Sequence, residues 1–176
     1  MAAFTDDQMD CGRFDVFAII SNSGLVAIEE SLRTECLAWL RQQGYCIEQF
    51  DCSHGMEALI PALGAYFRWE EQFGYRMQDG RRRLDALSDG FEFNVPASGG
   101  VVFELFRADI VWREDSRWLL GLLQIAMEHS RFHLACGRRF FTLLVLPEKT
   151  PLIGEKVDEL LVPHPYRNFN GKAFKL

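Results

Sequence analysis

The chain has 176 residues, of which 48% are hydrophobic and 25% are charged, a composition typical of one globular domain and not of a disordered segment. A net charge of -6 argues against a general nucleic-acid or membrane-surface binder and suits a basic partner. The five cysteines show no CxxC spacing, which disfavours a disulfide framework or a structural zinc site and favours the reducing cytoplasm.

The N-terminal part of the sequence predicts a strand, a helix and a second strand. Residues 14–20 are an apolar run of strand length, and the turn-like residues 21–24 follow. Apolar side chains recur at helical spacing over residues 25–43, and residues 45–53 alternate as a strand does. We therefore interpret residues 14–52 as a βαβ unit, which favours parallel strands.

The remaining sequence continues the alternation of helices and strands. The pattern predicts helices over 56–69, 84–93 and 117–134 and strands over 101–106 and 140–146. Residues 157–162 form either a short helix or an edge strand. The predicted fold class is α/β, with a small, mainly parallel sheet flanked by helices in two or three layers.

Two carboxylates stand four residues apart in the sequence LDALSD, residues 84–89. In a helix this spacing places Asp85 and Asp89 on one face, while Leu84 and Leu87 turn toward a core. The sequence around them offers neither metal ligands nor a nucleophile, which indicates binding of a positively charged partner and not catalysis. On the residues alone, an ordinary exposed helix face remains the stronger alternative.

Two further patterns have both a chemical and an ordinary interpretation. His129, His133 and Cys136 could form one face of a zinc site, but the helix is expected to end near Gly137 and no HExxH motif is present, so no metal is predicted. Cys52 and His54 follow a predicted strand and could suggest a thiol nucleophile. A buried cysteine at the end of a strand is the preferred interpretation.

Residues 21–24 and residues 81–83 carry weaker signals. The first segment, SNSG, could hold an anion at a helix N-terminus, but it lacks a nucleotide-binding motif, and capping of the following helix is preferred. The second is a run of three arginines directly before the acidic helix. These arginines either pair with nearby acids or contact an acidic feature of a partner, and Arg83 is retained as a candidate contact.

The pair Phe73-Gly74, together with residues 84–89, resembles the barstar family of ribonuclease inhibitors. Downstream, residues 101–109, 119–129 and 137–146 look like the second strand, the long helix and the closing strand of that family, and residues 46–67 match its first strand and helix in pattern. The resemblance covers about residues 45–146. It implies a barstar-like single domain, with an extra βα unit in residues 1–44 and a tail in residues 147–176.

The resemblance also implies a binding surface made of a helix and the loop before it. Asp85 and Asp89 match the two helix aspartates of the family, and Asp89 matches the principal one. Four further positions match family contacts, two of them with changed residues: Gln72 for a tyrosine, Ser88 for a tryptophan, the loop glycine Gly74 and the glutamate Glu128. About seven residues are inserted after Gly74, and three arginines precede Leu84, so a different target is expected.

The function implied by this resemblance is inhibition and not catalysis. Family members block a secreted ribonuclease inside the cell that makes it, with acidic groups in the place of the substrate's phosphates. We expect a cytoplasmic immunity protein that occludes the active site of a toxin nuclease, without a cofactor and without binding nucleic acid or membrane. The alternative is an interaction module that regulates a non-toxin partner, and the N-terminal unit and the tail motivate it.

Overall fold

The computed structural model describes residues 3–5, 10, 12–77, 84–91, 93–157 and 159–171. The helices are α1 (Phe14–Val16), continued by a π-helical turn (Phe17–Ser21), α2 (Arg33–Gln42), α3 (Met56–Tyr66), α4 (Trp69–Phe73), α5 (Leu84–Gly90), α6 (Ala108–Glu114) and α7 (Ser116–Ala135). The strands are β1 (Leu25–Glu29), β2 (Tyr45–Asp51), β3 (Gly100–Phe106), β4 (Phe140–Leu146), β5 (Lys156–Val157) and β6 (Leu160–Leu161).

The first four strands form one parallel sheet in the order β1-β4-β3-β2. Its two central strands, β3 and β4, are buried along almost their whole length. Strands of a parallel sheet that is covered on both faces read as continuous apolar runs, which is why these two were predictable from the sequence. The predicted class, an α/β fold with a small parallel sheet flanked by helices, is confirmed.

The sheet separates two hydrophobic clusters because successive side chains of a strand point to opposite faces. On one face, Phe103 of β3 and Phe140 of β4 pack with α3, α5 and α7. On the other face, Val102 and Phe141 pack with α1 and α2, and Phe169 of the C-terminal tail joins this second cluster. Apolar packing on both faces therefore fixes the sheet between two layers of helices.

The prediction of a strand over residues 14–20 is wrong. These residues form α1 and the π-helical turn, which pack against the sheet instead of joining it. A polar contact holds the helix in place: the buried Asp15 carboxylate accepts hydrogen bonds from the Arg13 guanidinium at 2.8 Å and the Tyr45 hydroxyl at 2.9 Å. Burial, together with the Asp15 charge, raises the pKa of Tyr45 well above its usual value, so this hydroxyl remains a donor.

The predicted helix over residues 25–43 is wrong in its first part. Leu25–Glu29 is the edge strand β1, a 3-10 turn follows at Glu30–Leu32, and the helix begins only at Arg33. The strand and helix order of a βαβ unit is present, but it starts at residue 25, and its two strands lie at opposite edges of the sheet. The sequence pattern did not distinguish a buried strand from the first turns of a helix.

The remaining elements agree closely with the sequence pattern, apart from two short helices and the tail. The Asp115 side chain caps α7 by accepting a hydrogen bond from the backbone N–H of Trp118 at 3.0 Å. Helices α4 and α6 were not predicted. The tail forms the short antiparallel pair β5–β6 and then returns to β1, where the Tyr166 backbone N–H donates to Ala27 and its carbonyl accepts from Glu29.

None of the described helices has the length and the apolar composition that a membrane-spanning segment requires.

Candidate functional site

Helix α5 presents the predicted carboxylates to solvent. Leu87 is buried in the core, whereas Asp85 and Asp89 are both exposed. A spacing of four residues places the two aspartates one turn apart on the same side of the helix, as the sequence predicts. The site is therefore a pair of carboxylates on the outer face of a short helix.

Helix α5 packs closely against α7 near its first residue and against α4 near its last residue, and a glycine lies at each contact. A side chain at Gly121 of α7 would overlap the Leu84 side chain, so α5 approaches α7 closely at this point. At the other end, a Cβ on Gly90 would lie 2.6 Å from the Trp69 ring and 2.8 Å from the Phe73 ring of α4. Short helices are marginal alone, and packing between α4 and α7 therefore fixes the orientation of the carboxylate face.

The residues that follow α5 fasten its C-terminal end to α7. The ring of Phe91 is 4.8 Å from the ring of His129, and the ring of Phe93 is 5.1 Å from that of His133. Because Leu84 contacts α7 at Gly121 and Phe91 contacts it at His129, α5 runs beside α7 in the same direction. The exposed side of α5 and the neighbouring exposed side of α7 therefore form one surface.

The carboxylates of Asp85 and Asp89 are not neutralised by any residue that the structure describes. Among the residues that the structure describes, none donates a hydrogen bond to either carboxylate or forms an ion pair with it. Other acids of the chain are neutralised, for example Asp109 by Arg113 at 2.8 Å and Glu148 by Arg167 at 2.9 Å. The aspartate pair thus keeps its charge available to a cation outside the described chain.

Gln72 and Gly74 lie at the end of α4, the helix that packs on Gly90 of α5. The Gln72 side chain is exposed, but its amide donates a hydrogen bond to the Phe67 carbonyl at 2.6 Å. Gly74 ends the helix with a φ of 74°, a left-handed conformation that glycine adopts at low cost. Gly74 thus shapes the start of the next loop, whereas Gln72 is already engaged within the protein.

Ser88 and Glu128 lie where α5 and α7 meet the solvent. Ser88 is half-buried on α5, and Glu128 is exposed on α7, where its carboxylate accepts a hydrogen bond from Gln124 at 3.1 Å. The structure therefore places Glu128 on the same surface as the aspartate pair. Arg83, the remaining predicted contact, lies outside the described residues.

The alternative chemical sites are not assembled. Cys52 is fully buried, its thiol donates toward the Phe50 carbonyl at 3.7 Å, and burial together with nearby carboxylates raises its pKa to about 12. A thiol with that pKa is protonated at neutral pH and is a poor nucleophile. His54 is exposed. Within the described part of the chain, no group of three His, Cys, Asp or Glu side chains is placed to hold a metal ion.

The histidines of α7 pack against aromatic rings. Burial lowers the pKa of His133, and His129 and Arg138 lower it further. The predicted capping role of residues 21–24 is also wrong, because a strand and not a helix follows them. The Asn22 side chain instead donates a hydrogen bond to the Leu25 carbonyl at 2.7 Å and closes the turn into β1.

Two features beside the site were not found from the sequence. A cavity of about 500 Å³ lies between α3 and α4 and is lined by charges of both signs, of which Arg68 already pairs with Glu71. Gln124 and Phe132 are exposed on α7 at one turn before and one turn after Glu128. Each lies four residues from Glu128, a spacing that the sequence contains, but the helical pattern predicts only the apolar side that faces the core.

No protein-family model matches the chain, and neither the curated proteins nor the solved structures include a significant match.

Proposed function

We propose that this chain is a barstar-like inhibitor, an immunity protein that binds a cytotoxic nuclease and occludes its active site, with a ribonuclease as the first candidate. The observation that carries the proposal is the pair Asp85 and Asp89. Both are exposed on a helix whose other sides are fixed to α4 and α7, and no described residue neutralises them. Such a pair suits a partner with a basic cleft.

The order of elements supports the proposal. Strand β2, helix α3, helix α5, strand β3, helix α7 and strand β4 follow one another as the resemblance to barstar implies. The three strands β2, β3 and β4 are also neighbours in the sheet in chain order. These elements lie within residues 45–146, the range of the resemblance.

The proposed mechanism is stoichiometric blockage without turnover. Asp85 and Asp89 occupy positions that the substrate's phosphates take in the basic active site of the nuclease, and Glu128 adds a third carboxylate from α7. Ser88 lies on the same helix as the aspartate pair, and Gln72 and Gly74 lie at the end of α4, which packs on Gly90 of α5. Because the acids are held by packed helices, little conformational entropy is lost when they bind.

A titration of nuclease activity tests the proposal. A panel of purified small, basic secreted ribonucleases and deoxyribonucleases is assayed with increasing amounts of the chain. We expect full inhibition of at least one member at a 1:1 ratio, and a loss of affinity of about 100-fold or more in Asp85→Ala/Asp89→Ala.

The matched control is Glu35→Ala/Glu159→Ala. It removes two exposed carboxylates elsewhere on the chain, so its net charge changes by the same amount. This control is expected to inhibit as the wild type does. If the Asp85→Ala/Asp89→Ala variant also inhibits as the wild type does, the proposed site is wrong.

The alternative is an interaction module that regulates a non-toxin partner. It is motivated by the additional surface that α1, α2 and the tail build on the other face of the sheet. The neighbouring reading frame discriminates between the two functions, because an immunity protein is expected beside the gene of a secreted toxin.

A further inference from the structure

Three exposed residues of α7 form a line that ends in an apolar side chain, and Arg131 is exposed beside this line. Gln124, Glu128 and Phe132 follow one another at intervals of four residues, which places them along one line of the helix about 6 Å apart. Phe132 is 62% exposed, the highest value among the large hydrophobic side chains of the described residues. Ala135 and Cys136, one turn further on, are also exposed.

This apolar end lies next to the acidic surface of α5. Phe91, directly after α5, packs on His129 with their ring centroids 4.8 Å apart, and Phe132 is three residues beyond His129. Glu128 lies one turn before Phe132 on the same line of α7. The carboxylates of α5 and α7 therefore lie on the same side of the protein as the exposed residues Phe132, Ala135 and Cys136, here termed the α7 apolar patch.

We propose that the α7 apolar patch is the apolar half of the partner-binding surface, with Phe132 as its anchor. The partner is then a basic protein whose cationic cleft is bordered by an apolar pocket: the cleft receives Asp85, Asp89 and Glu128, and the pocket receives the Phe132 ring. The inference rests on the proposed function. It deepens that function by naming the surface chemistry that the partner must have.

The position of Phe132, and not its exposure alone, is the reason for this assignment. Single exposed hydrophobic residues are common on protein surfaces. Interfaces, however, combine charged groups that steer association with a few large anchors that lose their contact with water on binding, and aromatic residues are enriched among these anchors. Charge complementarity with the three carboxylates of α5 and α7 selects a basic protein as the occupant. Arg131, the exposed cation beside Phe132, already has an interaction within the protein.

Affinity measurements with three variants test the inference. The probe is the nuclease of the panel described above that wild-type chain inhibits most strongly. Phe132→Ser is compared with Leu161→Ser, because Leu161 on β6 is 61% exposed and provides a matched loss of apolar surface elsewhere. We expect Phe132→Ser to weaken binding about tenfold or more, and Leu161→Ser and the conservative Phe132→Leu to stay within about threefold of wild type.

The outcomes separate this inference from the proposed function. If Phe132→Ser binds as wild type does while Asp85→Ala/Asp89→Ala loses affinity, the acidic site stands and the apolar half is wrong. If Leu161→Ser weakens binding as much as Phe132→Ser, the anchor role of Phe132 is also wrong. If wild-type chain inhibits no member of the panel, both proposals fail.

Discussion

Glu114 at the end of α6 accepts a hydrogen bond from the backbone N–H of Met56, the first residue of α3, at 2.8 Å. The carboxylate also lies against Gly55, where a Cβ atom would overlap it and where φ is 68°. A residue far away in the sequence therefore supplies the negative charge and the acceptor that a helix N-terminus requires. This contact ties the start of α3 to the helix that follows β3.

Glu114→Ala is expected to lower the free energy of unfolding by about 1 kcal/mol, the usual cost of losing a helix cap. Urea denaturation monitored by circular dichroism measures the change. Glu159→Ala, which removes an exposed carboxylate from the tail, provides the control and is expected to change stability by less than about 0.5 kcal/mol. Equal effects of the two substitutions would show that Glu114 does not cap α3.

Arg33→Ala is expected to destabilise the fold by about 2–4 kcal/mol, because it leaves a buried carboxylate without its cation. Glu104 of β3 is fully buried, and its partners are the Arg33 guanidinium and the Gln49 amide, which donates at 2.6 Å. Arg33 itself is 34% exposed, so solvent screening places the effect toward the lower end of that range. Denaturant titration provides the measurement.

Glu104→Gln in the Arg33→Ala background tests the cause of that loss. The neutral amide removes the uncompensated charge, so the double variant is expected to be more stable than Arg33→Ala alone. A double variant that is less stable than the single variant would contradict the role of charge and point to lost packing of Arg33 over the Phe106 ring, 4.4 Å from its centroid.

The stability of the protein is expected to fall as the pH decreases below the usual histidine pKa, in part because of His133. Burial lowers the pKa of His133 in the folded state, so the unfolded chain binds a proton at a higher pH than the folded chain does. The contribution of His133 is thus complete above the unfolded pKa of about 6.5 and is lost as the pH falls toward the folded pKa.

The variant His133→Phe, which keeps an aromatic ring against Phe93 and Phe140, is expected to show a smaller loss of stability in this pH window. Urea denaturation at several pH values between about 7.5 and 5 gives both slopes. Parallel curves for wild type and variant would exclude a contribution from His133.

Thiol labelling is expected to divide the cysteines of the described chain into two groups. Cys36 and Cys52 are buried and burial raises the pKa of both, whereas Cys46 and Cys136 are exposed. In the native protein, iodoacetamide is expected to modify the exposed pair and to leave the buried pair unmodified until denaturant is added. Peptide mass mapping identifies each site. Rapid modification of native Cys52 would revive the thiol-enzyme alternative.

The sequence predicted the C-terminal two-thirds of the fold better than the N-terminal third, and the difference has a physical cause. Strands β3 and β4 are buried on both faces, and helix α7 has a clear apolar face and a capping aspartate. Residues 14–20 are apolar except for Asp15, but a run of seven residues fits either two helical turns or one strand. Tertiary contacts decide, among them the buried Asp15 with Arg13 and Tyr45.

The aspartate pair could be predicted from the sequence because helical spacing alone places Asp85 and Asp89 on one face. The packing contacts that fix the orientation of α5 could not be predicted. The contacts of Gly121 with Leu84 and of Gly90 with Trp69 join residues far apart in the chain, and no local pattern indicates them. The exposure of Phe132 could not be predicted for the same reason, because it depends on which other elements pack against α7.

The return of the tail to β1 has a consequence for the solubility of the protein. Residues 25–28 are entirely apolar and form the edge of the sheet, and the backbone of Tyr166 occupies hydrogen-bonding groups of that edge. An uncovered apolar edge strand is a template for pairing with another chain and hence for aggregation. A cut in the tail before Tyr166 would therefore expose β1 as an edge that pairs with further copies of the chain, without any change in the acidic surface on α5.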